Sequence, residues 1–317
     1  MASEISASLA PVETTRQFHI FGREIPHSIS PAMHNAGFQY HNLDCSYRIT
    51  ETESVEDCPT SIARADFGGA SVAMPYKLEV MRYCGIVTAE AKLMGAVNTL
   101  CVRTDAHGQR LIEGDNTDWI GVLNCIQAKY PTRGKESPKM GWVIGAGGAA
   151  RAAVYALHAA GTERIFISNR SHSKAESLVS AFSDHFKVEI IDDWSEMNEH
   201  PADVVIGTVP ANAVYDSDFY GIEWNSAGGL CIDLSYNPRV TPLLWVVADV
   251  PKWKIVNGLQ VLLEQGYAQY RKWTALEPPK ELIMEAIGCD LLQDESDPAA
   301  DHCLATGRKP IVQSCKL

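Results

Sequence analysis

The chain has 317 residues, 46% of them apolar, and a formal net charge of −12. That is enough for one large domain or two ordinary ones with a sizeable core, and an acidic balance without a basic block argues against nucleic acid or an anionic membrane surface as partner. No apolar run reaches the about 18 residues a membrane helix needs, and nine dispersed cysteines form neither a CxxC pair nor a zinc-like cluster, which predicts reduced thiols inside a cell and no metal.

In chain order, "MASEISASLAPVETTRQ" lacks a basic region followed by an apolar one. It reads as a flexible tail over residues 1–17 and not as a signal peptide. "QFHIFG" reads as a strand. "SPAMHNAGFQYHNL" reads as a helix with Ser30 as N-cap and Pro31 in the first turn. "CSYRIT" and "GGASVAM" are predicted strands, "PYKLEVMRYC" and "TAEAKLMG" predicted helices, and "AVNTLCVRT" a further strand. Strands alternating with helices predict an α/β unit with a mainly parallel sheet over residues 18–120.

The polar, Gly- and Pro-broken "TRGKESPK" that follows "TDWIGVLNCIQAKYP" is the best internal boundary signal. A second α/β run comes next. "GWVIGAGGAARAAVYALHAAG" reads as strand, glycine turn and helix, and "RIFISNR", "ADVVIGTVP" and "GLCIDLSY" as buried strands. "VNGLQVLLEQGYAQYRKWTAL" is a long amphipathic helix, and a shorter one reaches about Ile287. Residues 288–317 read as loosely ordered. The expected organisation is a first α/β domain over 18–120 completed by helices in 259–287, and a Rossmann-type domain over 121–258.

The glycine turn carries the first functional signal. Gly145, Gly147 and Ala150 form a G-x-G-x-x-A pattern between an apolar strand and an Ala-rich helix. Gly145 permits the tight turn, Gly147 lets a pyrophosphate approach the backbone, and Ala150 allows close packing of helix on strand. Gly148, Ala146 and Ala149 complete the loop, whose helix N-terminus offers free N–H groups to phosphate. An NAD site usually carries an acid at the end of the next strand to hold the ribose hydroxyls. Here Asn169, Arg170 and Ser171 stand there, so NADP(H) is expected, with NAD(H) as the alternative.

Four stretches of the first half are more polar than scaffold requires: "HSISPAMHN", "GAVNTL", "GDNTDWIG" and "GGASVAMPYKLEVM", the last with a single lysine in an apolar run. Each has a bland reading as cap, turn or solvated charge. Beside a dinucleotide domain, they fit a polar pocket for a hydroxylated acid.

Together with "GAGGAARAA", "NRS" and "GLQVLLEQGYAQ", these motifs resemble the shikimate/quinate dehydrogenase family over about residues 18–287, most closely the dehydrogenase domain of the fungal pentafunctional arom polypeptide. The resemblance implies two α/β domains with the active site in the cleft between them. It implies reversible hydride transfer between NADPH and the ring ketone of 3-dehydroshikimate. It assigns Lys77 and Asp118 to the catalytic pair, Ser28, Ser30 and Tyr236 to the substrate carboxylate, and Asn98, Asp118 and Gln265 to the ring hydroxyls. Thr208 and Gly258 fall where the family lines the nicotinamide site, while Asn169 and Arg170 match its NADP clamp. Chemically, an ammonium within reach of the ring oxygen stabilises a developing alkoxide and delivers the proton.

One position departs from the family. Ala73 stands where members usually carry a threonine beside the substrate, a loss of about 1–3 kcal/mol for a polar contact. Three readings follow: a slower shikimate dehydrogenase, a dehydrogenase for quinate or a related ring carboxylate, and a ligand-sensing homologue without turnover. The chain has no room for the other domains of the arom polypeptide, so a separate gene product is expected, as monomer or homodimer. A cytoplasmic location is expected, with the C-terminal Cys315-Lys316-Leu317, close to a Ser-Lys-Leu address, pointing to the peroxisome as the alternative.

Overall fold

The computed structural model describes residues 15–130 and 137–288, which form two six-stranded sheets with helices packed against them. The Cys315-Lys316-Leu317 tripeptide and most of the two expected tails lie outside the described residues.

The first sheet contains β1 (Arg16–Gly22), β2 (Cys45–Glu51), β3 (Phe67–Val72), β4 (Ile86–Val87), β5 (Thr99–Thr104) and β6 (Arg110–Asp115) in the order β2-β1-β3-β5-β6-β4. Arg16 and Gln17, expected in the tail, already pair with β2. β1 runs parallel to β2 and β3, whereas β5 runs antiparallel to β3 and β6. A short turn joins β5 to β6 and explains their antiparallel pairing, because only antiparallel strands can be joined so tightly. Asp105 accepts from the N–H groups of His107 and Gln109 at 2.8 Å to close it.

Two local expectations change. Helix α1 (Ser30–Tyr40) has Ile29, not Ser30, at its N-cap position and no side-chain cap. Ser30 is the first helical residue and only 3% exposed, so its hydroxyl is spent inward. The helix expected over "PYKLEVMRYC" is absent. Turns lead instead into a 3₁₀ helix at Val80–Tyr83. Tyr76 and Val80 are both buried against Phe21 and Val72, and the Tyr76 hydroxyl donates to the Thr52 carbonyl at 2.6 Å. Those anchors, in a segment closed by Pro75 and Gly85, outweigh weak helix propensity.

Helices α2 (Cys58–Ile62) and α3 (Ala89–Met94) complete this lobe, and α4 (Asp118–Lys129) leaves it. Residue 120, where the sequence suggests a boundary, lies inside α4, which packs on both lobes.

The second sheet is wholly parallel. It holds β7 (Met140–Ile144), β8 (Arg164–Ser168), β9 (Val188–Ile190), β10 (Val204–Gly207), β11 (Gly229–Asp233) and β12 (Trp253–Val256) in the order β12-β11-β10-β7-β8-β9. Helices α5 (Gly148–Ala159), α6 (His172–Phe182) and α7 (Pro242–Ala248) cover it. Its central strands are mostly apolar because both faces are buried, with Val143 and Ile206 in one core and Trp142 and Val205 in the other. The strand order reverses between β7 and β10, the switch point where doubly wound sheets bind ligands.

The chain then returns to the first lobe. In α8 (Gly258–Thr274), Trp273 donates to the Leu100 carbonyl at 3.0 Å and the Tyr270 hydroxyl to the Gly37 carbonyl at 2.8 Å. Phe18 lies 5.0 Å from Phe38 and 5.1 Å from Trp273, ring centre to ring centre. Each such pair adds about 0.5–1.5 kcal/mol to the burial itself. Helix α9 (Lys280–Ala286) packs on α1.

Candidate active site

The end of β3, the start of β5 and the N-terminus of α4 converge on one buried polar cluster. Lys77, on the turn after β3, donates to Asp118 Oδ2 at 2.5 Å. Their side chains are 19% and 11% exposed, so the pair is largely withdrawn from water yet still reachable. Asp118 is the first residue of α4, and its N–H donates to Asn116 Oδ1 at 2.9 Å. A carboxylate in a helix's first turn also gains from the helix dipole.

Asn98 is the hub. Its Nδ2 faces Asp118 Oδ1 at 2.8 Å, Thr117 Oγ1 at 3.1 Å and Gln265 Oε1 at 3.2 Å. Its Oδ1 accepts from the Thr117 N–H at 2.7 Å and from Thr99 Oγ1 at 2.6 Å. Gln265 reaches the cluster from α8, with Thr117 Oγ1 donating to its Oε1 at 3.0 Å. Four distant segments therefore meet at Lys77, Asn98, Asp118 and Gln265.

A second layer lies beneath. The Tyr47 hydroxyl donates to Ser71 at 2.7 Å and also meets Ser30; Ser71 donates to Gln269 Oε1 at 2.9 Å. Gln269 Nε2 donates to Thr99 Oγ1 at 3.0 Å. Burial raises the Tyr47 phenol well above its ordinary range, so it stays a neutral donor. Sequence reasoning missed Tyr47, Ser71, Thr117 and Gln269 as members of this network. Of these, Ser71 carried a local signal, a polar residue within the apolar strand β3.

Among the described residues, the other expected substrate residues, Ser28, Tyr236 and Ala73, form no hydrogen bond to the Lys77, Asn98, Asp118 and Gln265 group. Ser28 Oγ accepts from the Ser30 N–H at 3.4 Å. Tyr236, on the loop after β11, is half-buried, which pushes its phenol up. Ala73 bonds only through its backbone, donating to the Phe21 carbonyl at 2.7 Å, and packs near Ile25.

The glycine turn fits a dinucleotide. Gly145 has φ +124°, and a Cβ there would lie 2.3 Å from Thr208 Oγ1, so no other residue fits. Thr208 in turn donates to the Ile144 carbonyl at 2.8 Å, fastening the end of β10 to the end of β7. A Cβ on Gly147 would meet nothing within 4 Å. That is room for a phosphate beside α5, whose N-terminus has no side-chain cap to occupy its N–H groups. Ala146 and Ala150 are buried in the core beneath, while Ala149 is half-exposed. At the end of β8, Asn169 Nδ2 donates to the Ser171 carbonyl at 2.8 Å and Arg170 is exposed. Gly258 opens α8 where a Cβ would strike the Leu234 carbonyl at 2.3 Å.

The two halves of the site touch. The stem of Lys77 lies directly against Gly148, the first residue of α5. The lysine of the polar cluster and the glycine turn are thus neighbours across the two lobes.

The chain matches known proteins over most of its length. Residues 20–100 match the model of the shikimate dehydrogenase substrate-binding domain, 132–241 that of shikimate/quinate 5-dehydrogenase, and 258–287 that of the shikimate 5′-dehydrogenase C-terminal domain. A pentafunctional AROM polypeptide of Malassezia globosa is 37% identical over 276 residues, covering 83% of this chain. The chain spans 17% of that relative's length. Among solved structures, the dehydroquinate dehydratase and shikimate dehydrogenase of S. pombe AroM superposes with TM-score 0.71 and 31% identity, over 86% of this chain and 52% of that one. The Thermus thermophilus shikimate 5-dehydrogenase in complex with NADP(H) and shikimate gives 0.69 and 28%, over 86% and 98%. The chain belongs to the shikimate dehydrogenase family.

Proposed function

We propose that this protein is an NADP-dependent dehydrogenase that reversibly interconverts 3-dehydroshikimate and shikimate. The observation that carries the reading is the Lys77–Asp118 pair at 2.5 Å, set against the glycine loop. Bound NADPH supplies the hydride. The Lys77 ammonium donates a proton to the ring oxygen as negative charge develops there, and neutral Lys77 takes it back in the oxidation. Asp118, fixed by Asn98 and Asn116, orients the lysine. Ser28, Ser30 and Tyr236 hold the carboxylate, and Gln265 and Asn98 the ring hydroxyls. Arg170 and Asn169 at the end of β8, with no acid beside them to repel a 2′-phosphate, favour NADP over NAD.

A second reading rests on Ala73. The methyl group supplies no side-chain donor for a shikimate hydroxyl, which favours a different ring carboxylate such as quinate as the substrate. Retention of the Lys77–Asp118 pair argues against a purely ligand-sensing role, since a binder needs no proton donor.

The test is to mix the protein with NADP⁺ and, in turn, shikimate and quinate, and follow nicotinamide reduction. Turnover with shikimate supports the first reading. Turnover with quinate alone moves the assignment to the second. Thermal stabilisation by either acid without turnover overturns both.

A further inference from the structure

Gly148 serves the phosphate loop through its backbone, which almost any residue supplies, so the loop does not explain why it is a glycine. The dinucleotide pattern uses Gly145, Gly147 and Ala150. Gly148 is not among the glycines with left-handed φ, and it begins a regular helix, where alanine is the better residue. What its missing side chain leaves is space, and that space is filled. A Cβ on Gly148 would lie 2.9 Å from Cβ of Lys77 and 3.4 Å from its Cδ, and its three nearest neighbours are all atoms of that one side chain.

The same helix also fixes the Lys77 backbone. One turn on, Arg151 is 8% exposed and donates to the Met94 carbonyl at 3.0 Å, across the seam between the lobes. Met94 ends α3. Gly95 follows, and the Val97 N–H then donates to the Lys77 carbonyl at 2.7 Å. The backbone and the stem of Lys77 are thus both referenced to the first turn of α5.

We propose that Gly148 is a positioning residue for Lys77: the helix that meets the cofactor phosphates also aims the ammonium at Asp118. This rests on the functional reading above only for the meaning of Lys77, not for the contact.

The test compares Gly148→Ala with Gly147→Ala. Carbon atoms pack at about 3.5–4.0 Å, so alanine at 148 must push the Lys77 stem by roughly 0.6 Å or more. Misplacement on that scale costs roughly 10–100-fold in rate. The expected result for Gly148→Ala is a kcat lowered by about that factor, with NADP⁺ Kd and ring-acid KM each within about threefold. Freed from Asp118, Lys77 should also give up its proton more readily and react, as the neutral amine, several-fold faster with an acylating reagent, measured by mass spectrometry against exposed Lys92. Gly147→Ala should do the opposite, weakening NADP⁺ binding and leaving Lys77 labelling unchanged. Unchanged labelling in Gly148→Ala, or a loss of activity no larger than its loss of NADP⁺ affinity, overturns the proposal. If the unaltered protein oxidises neither shikimate nor quinate, the proposed function fails, and the labelling alone still decides the role of Gly148. Should Gly148→Ala not fold, Arg151→Lys carries the test: it withdraws the donor from Met94 and should raise Lys77 labelling, and no rise refutes the account.

Discussion

Replacing Asn98 with alanine probes the hub of the site. Some of its partners keep other bonds: Thr99 Oγ1 retains Gln269, and Gln265 Oε1 retains Thr117. Two groups are stranded. The Thr117 N–H, buried, loses the acceptor at 2.7 Å, and the Asp118 carboxylate loses a donor at 2.8 Å. An orphaned buried N–H costs about 1–3 kcal/mol and a hydrogen bond to a charged group about 1.5–3, so Asn98→Ala should lose roughly 3–5 kcal/mol of stability. Urea unfolding with unchanged slope measures it. Asn98→Asp is the informative companion. It keeps the acceptor for Thr117 but sets a second carboxylate beside Asp118, where both cannot be charged together. Its stability should recover as pH falls toward about 4.5, while that of Asn98→Ala should not. A loss below about 1 kcal/mol in Asn98→Ala would refute the placing of Asn98 at the centre of the cluster.

Three further outcomes follow from the same structure. Ala73→Thr should raise kcat/KM for shikimate about 10-fold or more by restoring a hydroxyl contact; no rise contradicts the account of that position. Arg170→Ala should weaken NADP⁺ binding about 10-fold or more and leave NAD⁺ binding nearly unchanged, and equal losses for both contradict the clamp. The third concerns acid. Burial holds the His34 imidazole down to about 3 and, with help from Arg48, that of His19 down to about 4. Each takes up a proton near pH 6.5 only when unfolded, so stability is lost as pH falls below that, by roughly 2–3 kcal/mol per histidine at pH 4.5. Burial pushes Asp233 up to about 6, so the folded state holds a proton that the unfolded state lacks between about pH 6 and 4. That opposes the loss by about 2 kcal/mol at pH 4.5. The histidines win, and the protein should be acid-sensitive. Asp233→Asn should make the loss below pH 6 steeper; a shallower loss, read from urea midpoints, contradicts these assignments.

Much of the fold was legible because its signals are local. Gly145 and the apolar strand before it mark the second sheet, and Ser30-Pro31 marks α1 to within one residue. The helix expected after Pro75 was not legible, because what decides it is the long-range anchoring of Tyr76 on Thr52. The β5–β6 hairpin was missed because its strands are largely polar outside the core-facing positions. In the site, Lys77 and Asp118 stood out as charges in apolar or glycine-bounded runs. Tyr47, Thr117 and Gln269 did not, since membership of a buried network depends on distant partners, as Gln269 shows by bonding Ser71 198 residues away. The reason for Gly148 was hidden for the same cause: it is set by a side chain from the other lobe.

The most direct test of the central claim compares the protein with its Lys77→Ala variant. Both are mixed with NADP⁺ and shikimate, absorbance of the reduced nicotinamide is followed, and NADP⁺ binding is titrated in parallel. The account predicts turnover in the first, none measurable in the second, and NADP⁺ affinities that agree within about threefold. Sustained turnover by Lys77→Ala would contradict it.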